Sequence, residues 1–228
     1  MAKDVIIPLD FPDAETTVKF LGNFTGKKPF VKVGMELYYS AGPDFVKRLK
    51  GEGYKIFLDL KLHDIPNTAK GAAASLRGLG VDITNVHATG GVEMMRAARE
   101  GIGPDTLLIG VTILTSTSSE MLRDELMVSR PLPEAASELA RLTQLAGLDG
   151  VVCSPHEAAD IKAARGADFL TITPGIRFAD SVADDQSRIA TPVRAREMDS
   201  DYIVVGRPIT KADNPVAAYM RCLEEFLG

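Results

Sequence analysis

The feature that most constrains the fold is a repeat of apolar runs, each followed by a segment of helical character. The runs are rich in Val, Ile and Leu, which indicates strands buried on both faces and therefore a parallel sheet. Eight such runs occur: Val5–Asp10, Phe30–Met35, Lys55–Leu62, Ile83–Ala88, Leu107–Leu114, Gly150–Ser154, Phe169–Pro174 and Tyr202–Gly206. The predicted helices that follow are Ala14–Phe24, Pro43–Lys50, Asn67–Leu79, Val92–Glu100, Pro133–Ala146, one that ends near Ala164, Val193–Glu197 and Pro215–Leu227.

The connections from helix to strand share a short pattern. It reads Gly80-Val-Asp82, Gly147-Leu-Asp149 and Gly166-Ala-Asp168, with a variant at Ser200-Asp201. Glycine can end a helix in the left-handed conformation, and the aspartate then begins the turn into the strand. These aspartates are therefore expected to stabilise turns.

Eight units of this kind in 228 residues predict a single-domain (β/α)8 TIM barrel over residues 1–228. An open doubly wound sheet would usually carry Gly-x-Gly-x-x-Gly after its first strand, whereas this chain has Leu9-Asp-Phe-Pro-Asp13 there. Active sites of barrels lie where the strands end. Polar residues at the strand ends are therefore the candidates for function.

Composition narrows the possible partners. The net charge is −5 and no basic block is present, so we expect no nucleic-acid partner. Neither a signal peptide nor an apolar run long enough to cross a bilayer is apparent, so we expect a cytoplasmic protein without a membrane partner. Cys153 and Cys222 match no metal spacing and are expected to be reduced, buried thiols.

Charged residues stand at the ends of the first three strands: Asp10, Lys32, and the pair Asp59 and Lys61. Asp59 and Lys61 are two residues apart, so an extended strand points both to one face. A purely structural cluster is the alternative, but buried ion pairs stabilise poorly because desolvation roughly cancels their attraction. A lysine flanked by carboxylates stays protonated and fixed in orientation, which suits a general acid.

Asp64 does not fit this parity. It lies five residues after Asp59, and Pro66 disfavours continuation of the strand, so Asp64 is expected in the turn. Either the turn bends back towards Asp59 and Lys61, or Asp64 serves another site.

The ends of strands seven and eight predict a phosphate site. Thr173-Pro-Gly-Ile-Arg177 and Val205-Gly-Arg207 each combine a glycine with an arginine, and these loops commonly bind phosphate in barrels. Gly175 and Gly206 would allow close approach of backbone amides, and Arg207 could bind an anion with two donors. One glycine alone could equally serve a tight turn, but the two loops together favour phosphate.

Three other features leave alternatives open. The polar segment 178–190, with Gln186, could be a lid over the phosphate or a disordered surface loop. Thr115 and Ser116 could bind a heterocycle or cap the next helix, and capping is more common. Strand-end hydrogen bonding is favoured for His87, structural roles are favoured for His63 and His156, and the three histidines lack metal-ligand spacing.

With these residues assembled, the whole chain resembles the orotidine 5′-phosphate decarboxylase family in its bacterial form. The most specific segment is Phe57-Leu-Asp-Leu-Lys-Leu-His-Asp-Ile-Pro-Asn-Thr68, which contains the family's Asp-x-Lys-x-x-Asp motif. Further similar segments are Phe30-Val-Lys-Val-Gly-Met-Glu36, Thr173-Pro-Gly-Ile-Arg177 and Ile203-Val-Val-Gly-Arg-Pro-Ile-Thr210.

The resemblance implies decarboxylation of orotidine 5′-phosphate to uridine 5′-phosphate without a cofactor or metal. Lys61 would protonate C6, and Asp59 would lie near the departing carboxylate in a network with Lys32. Asp64 and Thr68 would act in the partner subunit's site of a homodimer. The implied catalytic residues are Lys32, Asp59, Lys61 and Asp64. The implied substrate-binding residues are Asp10, Lys32, Asp59, Asp64, Ile65, Thr68, Thr115, Ser116, Pro174, Arg177, Gln186, Gly206 and Arg207.

Two other functions are considered. Related barrels, such as hexulose-phosphate synthases and keto-gulonate-phosphate decarboxylases, reuse Asp-x-Lys-x-x-Asp with magnesium. The continuation Asp64-Ile-Pro-Asn-Thr68 and the pyrimidine-type Leu114-Thr-Ser116 argue against them. A barrel that only senses a nucleotide would bind uridine phosphate without turnover.

Overall fold

The computed structural model describes residues 3–26, 28–180 and 189–228. Its eight parallel strands pair in chain order and close into a barrel, which confirms the predicted (β/α)8 fold. The strands are β1 Asp4–Pro8, β2 Phe30–Gly34, β3 Ile56–Leu62, β4 Ile83–His87, β5 Leu107–Val111, β6 Gly150–Val152, β7 Leu170–Thr173 and β8 Tyr202–Val204.

Several predicted strands were too long at their carboxyl ends. β1 ends at Pro8, β5 at Val111 and β8 at Val204. The next residues, such as Leu9 and Val205, are fully buried although they lie outside the strands. An apolar run indicates burial and does not by itself indicate strand pairing. The prediction therefore extended these strands into the buried loops that follow them.

The helices are α1 Ala14–Leu21, α2 Met35–Gly51, α3 Pro66–Arg77, α4 Gly91–Ile102, α5 Ser119–Asp124, α6 Leu132–Leu145, α7 Pro155–Arg165, α8 Pro192–Glu197, α9 Arg207–Thr210 and α10 Pro215–Leu227, with a short 3-10 helix at Ala88–Gly90. The prediction missed the first part of α2, which begins at Met35 and not at Pro43. Gly42 interrupts this helix with a φ of 76° just before Pro43. The short helices α5 and α9 were also not predicted.

A layer of apolar side chains fills the barrel interior. The buried cluster is Ile6, Phe30, Phe57, Ile83, Ile109, Leu170, Ile172 and Val204. Side chains two residues further along a strand point to the same side, so the next inward positions are Lys32 after Phe30 and Asp59 after Phe57. The barrel register thus places charged groups directly above an apolar floor.

The two thiols agree with the prediction. Cys153 and Cys222 are both free and buried. Burial raises the pKa of the Cys222 thiol to about 12.

Three of the four predicted aspartates, Asp82, Asp149 and Asp201, stabilise turns at the opposite end of the barrel, whereas Asp168 is exposed and makes no such contact among the described residues. Gly80, Gly147 and Gly166 have φ values of 64°, 80° and 98°. Asp149 accepts hydrogen bonds from the Leu108 backbone N–H at 2.7 Å and from Arg99 at 3.0 Å. Asp82 and Asp201 make the same kind of contact with a strand N–H and a lysine. These carboxylates join each helix to its strands.

Replacement of Asp149 by alanine should lower the free energy of unfolding by about 1–3 kcal/mol, because a backbone N–H and Arg99 both lose their acceptor. Asp168→Ala is the matched control: Asp168 occupies the same motif position but is exposed and makes no hydrogen bond or ion pair within the described ranges. Its change should stay within about 0.5 kcal/mol. Urea unfolding of both variants measures the difference, and equal losses would contradict this role for Asp149.

Candidate active site

Four charged side chains form one chain of ion pairs at the carboxyl ends of β1, β2 and β3. Lys32 Nζ lies 3.0 Å from Asp10 Oδ1 and 3.2 Å from Asp59 Oδ2. Lys61 Nζ lies 2.7 Å from Asp59 Oδ1. The structure therefore brings Asp10, Lys32, Asp59 and Lys61 together, with Asp59 between the two lysines.

Gly34 makes room for the outer pair of this chain. A Cβ atom added at Gly34 would meet Lys32 Nζ at 3.0 Å and Asp10 Oδ1 at 3.1 Å. A larger residue would push the lysine and the carboxylate apart. The small residue at the end of β2 is thus part of how the site is built.

Burial and neighbouring charges shift the pKa values of Lys32 and Asp59 in opposite directions. Burial alone would lower the pKa of Lys32, but Asp59 and Asp10 outweigh it and raise that pKa above its usual value. Burial would likewise raise the pKa of Asp59, but Lys32 and Lys61 outweigh it and lower that pKa. Both groups are therefore ionised at neutral pH, although each side chain is only about one-tenth exposed.

Lys61 breaks the regular strand that the sequence predicted. Its φ is 52°, in the left-handed region that a residue with a side chain rarely adopts. The register with β4 shifts there: Leu58 pairs with Thr84, and Leu62 pairs with Val86, so four residues of β3 advance against two of β4. Such a conformation costs of order 1–3 kcal/mol and persists only where surrounding contacts impose it.

Asn85 on β4 is one residue of the site that sequence reasoning missed. It is fully buried, accepts a hydrogen bond from the Lys61 backbone N–H at 2.8 Å and donates one to Asp59 Oδ1 at 2.7 Å. A signal was present, because Asn85 follows the inward-facing Ile83 by two residues. That is the relation that Asp59 has to Phe57, so the barrel register could have identified it.

A cavity of about 270 Å³ opens above this network. Lys32, Asp59, Lys61 and Asn85 contribute to its wall on one side. Apolar residues of the neighbouring strands, including Val111 and Val152, form much of the remainder. Its lining combines apolar side chains with two ammonium groups, which suits a ligand with an apolar body and a negatively charged substituent.

Thr115 and Ser116, beyond β5, line the same cavity. Neither hydroxyl is the N-cap of α5. That role belongs to Ser118, whose side chain accepts from the Met121 backbone N–H. Of the two alternatives for this hydroxyl cluster, capping thus applies to Ser118, and Thr115 and Ser116 lie where a ligand's polar edge could reach them.

A second cavity adjoins the first and shares Lys32, Pro174 and Val204 with it. Gly206 and Arg207, at the start of α9, line it together with Arg177. Its wall also contains Lys211, a cation that sequence reasoning missed. Positive side chains and two glycine-containing loops make this cavity suitable for an anion.

The loop after β7 is anchored at both of its described ends. The Arg177 N–H donates to the Ala190 carbonyl at 3.0 Å, and the Ala190 N–H donates to the Gly175 carbonyl at 3.1 Å. The buried Arg177 side chain also donates to the Ile176 carbonyl at 2.8 Å. Gln186, and most of the segment predicted as a lid, lie outside the described residues.

Asp64, Ile65 and Thr68 do not line either cavity as the structure describes them. All three are exposed, and in the described part of the chain none of them contributes to either cavity wall. Asp64 accepts a hydrogen bond from the Ile65 N–H at 2.6 Å, and the Ile65 side chain is 68% exposed. Among the described residues no hydrogen bond or ion pair joins Asp64 to Asp59 or Lys61, so the turn does not bring Asp64 into their ion-pair chain within one chain.

The histidines do not enter the ion-pair chain. The rings of His63 and His87 lie 5.5 Å apart, and His156 is within 3.3 Å of the Ile189 carbonyl oxygen. Burial, with His63 and Lys61 nearby, lowers the pKa of His87. Among the residues that the structure describes, no group of three His, Cys, Asp or Glu side chains could hold a metal ion.

The fold and site define a class: a (β/α)8 barrel enzyme with a lysine–aspartate network above its apolar floor and a cavity lined by Arg177, Arg207 and Lys211 beyond β7 and β8. The chain belongs to the orotidine 5′-phosphate decarboxylase / HUMPS family, whose model matches residues 3–222.

Individual relatives agree with this membership. An orotidine 5′-phosphate decarboxylase of Cutibacterium acnes is 58% identical over 217 residues, which cover 94% of this chain and 92% of the relative. One of Bacillus caldolyticus is 53% identical over 98% of this chain and 94% of its own length. The crystal structure of orotidine 5′-phosphate decarboxylase from Lactobacillus acidophilus superimposes with a TM-score of 0.89 at 43% identity, covering 99% of this chain and 100% of that one.

Proposed function

We propose that this chain decarboxylates orotidine 5′-phosphate to uridine 5′-phosphate, the last step of de novo pyrimidine synthesis. The relatives above carry this activity in their names. The observation that carries the proposal is the Asp59 carboxylate held between Lys32 and Lys61 at the base of a cavity that continues into an anion site. This arrangement offers one site for a carboxylated base and a second site for the phosphate of the same nucleotide.

Lys61 is the proton donor in this proposal. The bond between C6 and the carboxylate carbon breaks, carbon dioxide leaves, and the electron pair stays on C6. The Lys61 ammonium stabilises that developing charge and then transfers a proton to C6, after which the neutral amine regains a proton from water. The position of Lys61 beside the ionised Asp59 supports this role.

Asp59 is proposed to lie near the carboxylate of the bound substrate, so that the two negative charges repel each other before the reaction. Loss of carbon dioxide removes one of them, which favours the transition state over bound substrate. Lys32 keeps Asp59 ionised, and Lys32 with Asp10 binds the ribose hydroxyls. The lowered pKa of Asp59 and the 3.2 Å contact with Lys32 support this division of roles.

The remaining parts of the substrate fit the two cavities. Thr115 and Ser116 face the polar edge of the pyrimidine, and Pro174, Arg177, Gly206 and Arg207 surround the phosphate. Gln186 is proposed to reach the phosphate from the segment outside the described residues. Binding energy from the distant phosphate can then serve the reaction at the base.

The proposed active form is a homodimer in which Asp64, Ile65 and Thr68 complete the partner subunit's site. Their exposure and their absence from the described walls of both cavities support this arrangement. Exposed Met35, Tyr39 and Ile65 offer apolar surface for the contact.

The proposed location is the cytoplasm, where pyrimidine nucleotides are made. In the described ranges, no helix combines the length and the apolar character that a membrane crossing requires.

An absorbance assay on orotidine 5′-phosphate tests the function directly. We expect turnover to uridine 5′-phosphate, with the same rate after dialysis against a chelator, because the proposed chemistry uses only this chain's lysines and carboxylates. A rate that falls with the chelator and returns with Mg²⁺ would favour the related magnesium-dependent barrels. Tight binding of uridine 5′-phosphate without turnover would indicate a nucleotide sensor.

Mixed dimers test the shared site. Lys61→Ala and Asp64→Ala should each be inactive alone, but a refolded mixture should regain about a quarter of wild-type activity, because half of the dimers are mixed and each has one intact site. The matched control mixes Lys61→Ala with Asp59→Ala, whose defects lie in the same site of each chain. This control should stay inactive. If the first mixture also stays inactive, the shared site is refuted.

A further inference from the structure

We propose that Asn85 is a positioning residue, whose amide holds Lys61 in its left-handed conformation and orients Asp59 for the proton transfer. This inference rests on the proposed decarboxylase function for its kinetic consequences. Its structural consequences can be tested without turnover.

Both polar atoms of the Asn85 side chain form hydrogen bonds, and the chemistry of each partner fixes which atom accepts and which donates. The Lys61 backbone N–H can only donate, and it does so to Asn85 Oδ1 at 2.8 Å. The ionised Asp59 can only accept a hydrogen bond, and it accepts one from Asn85 Nδ2 at 2.7 Å. A side chain that accepts from one neighbour and donates to the other must carry both functions, which an amide does and a carboxylate or an apolar group does not.

Asn85 takes the place of a regular strand contact. It lies on β4 between Thr84 and Val86, where β3 advances by four residues. The backbone ladder is interrupted at this point, and the Asn85 side chain supplies an acceptor for the Lys61 N–H. Without it, the strained conformation at Lys61 loses the contact that imposes it.

Lys61 is thereby fixed at two points. Its backbone is bound directly to Asn85, and its ammonium is bound to Asp59 Oδ1, the same oxygen that accepts from Asn85. A shift of the backbone would move the ammonium relative to the reacting carbon. Proton transfer is sensitive to such misplacement, and an error of about 1 Å can cost about 100-fold in rate.

The first test compares Asn85→Ala with a control on the same strand. Asn85→Ala should lower kcat about 100-fold and leave the Kd for uridine 5′-phosphate within about threefold, because the anion site is untouched. Thr84→Val removes one buried hydrogen bond between Thr84 Oγ1 and the Leu58 carbonyl, 2.9 Å, and should keep wild-type kcat. If Asn85→Ala loses stability but keeps kcat per folded molecule, the residue is only structural and the inference is overturned.

The second test uses pH. Asn85→Asp keeps an acceptor for Lys61 but puts a second carboxylate against Asp59, so the pair holds a proton with a raised pKa. The groups that face this pair are Lys61 on β3, Lys32 on β2 and His87 on β4. The protonated form regains the donor, so kcat of this variant should rise as pH falls from 8 to 5, while Asn85→Ala should show no such rise. A profile parallel to that of Asn85→Ala would contradict the inference.

A crystal structure of Asn85→Ala separates this inference from the proposed function. Lys61 should leave the left-handed region, and its ammonium should move away from Asp59, which is 2.7 Å from it in the wild type. If Lys61 keeps a φ near 52°, Asn85 does not position it. A wild-type enzyme without turnover would instead refute the decarboxylase function, and the crystal structure would still decide the role of Asn85.

Discussion

The site depends on one buried carboxylate with three donors. Asp59 accepts from Lys61 and Asn85 at one oxygen and contacts Lys32 at the other. Removal of a partner from a buried charge of this kind typically costs about 3–5 kcal/mol, because the remaining charge is left without compensation. The donors come from three consecutive strands, so the parallel pairing of β2, β3 and β4 is what brings them together.

The barrel register explains why the network lies where it does. Large apolar side chains such as Phe57 and Ile83 close the interior, and the next inward positions along the same strands carry the polar groups. The cavity therefore has an apolar floor, and the low polarity of that floor strengthens the interactions between the charges above it. The cavity beyond β7 and β8 that is proposed to bind the phosphate lies on the same side because all eight strands are parallel.

The fold and several residues of the site could be predicted from the sequence. The eight apolar runs predicted the barrel. Because residues two apart on a strand point to the same face, the spacing of Asp59 and Lys61 predicted that they lie together. Asn85 was missed because its contacts with Lys61 and Asp59 can be predicted only once the register between β3 and β4 is known. The left-handed Lys61 was missed because periodicity assumes regular backbone geometry. The place of Asp64 in a partner's site remains a prediction, since one chain shows only that Asp64 is absent from its own cavities.

Single-turnover kinetics of Lys61→Ala, with saturating orotidine 5′-phosphate, test the central claim most directly. Loss of the proposed proton donor and of its charge should slow decarboxylation by at least about 10⁴-fold, since general acid catalysis alone contributes about 10²–10⁴. Binding of uridine 5′-phosphate should persist and show that the cavity is intact. A rate near that of the wild type would contradict the assignment of Lys61 and with it the proposed mechanism.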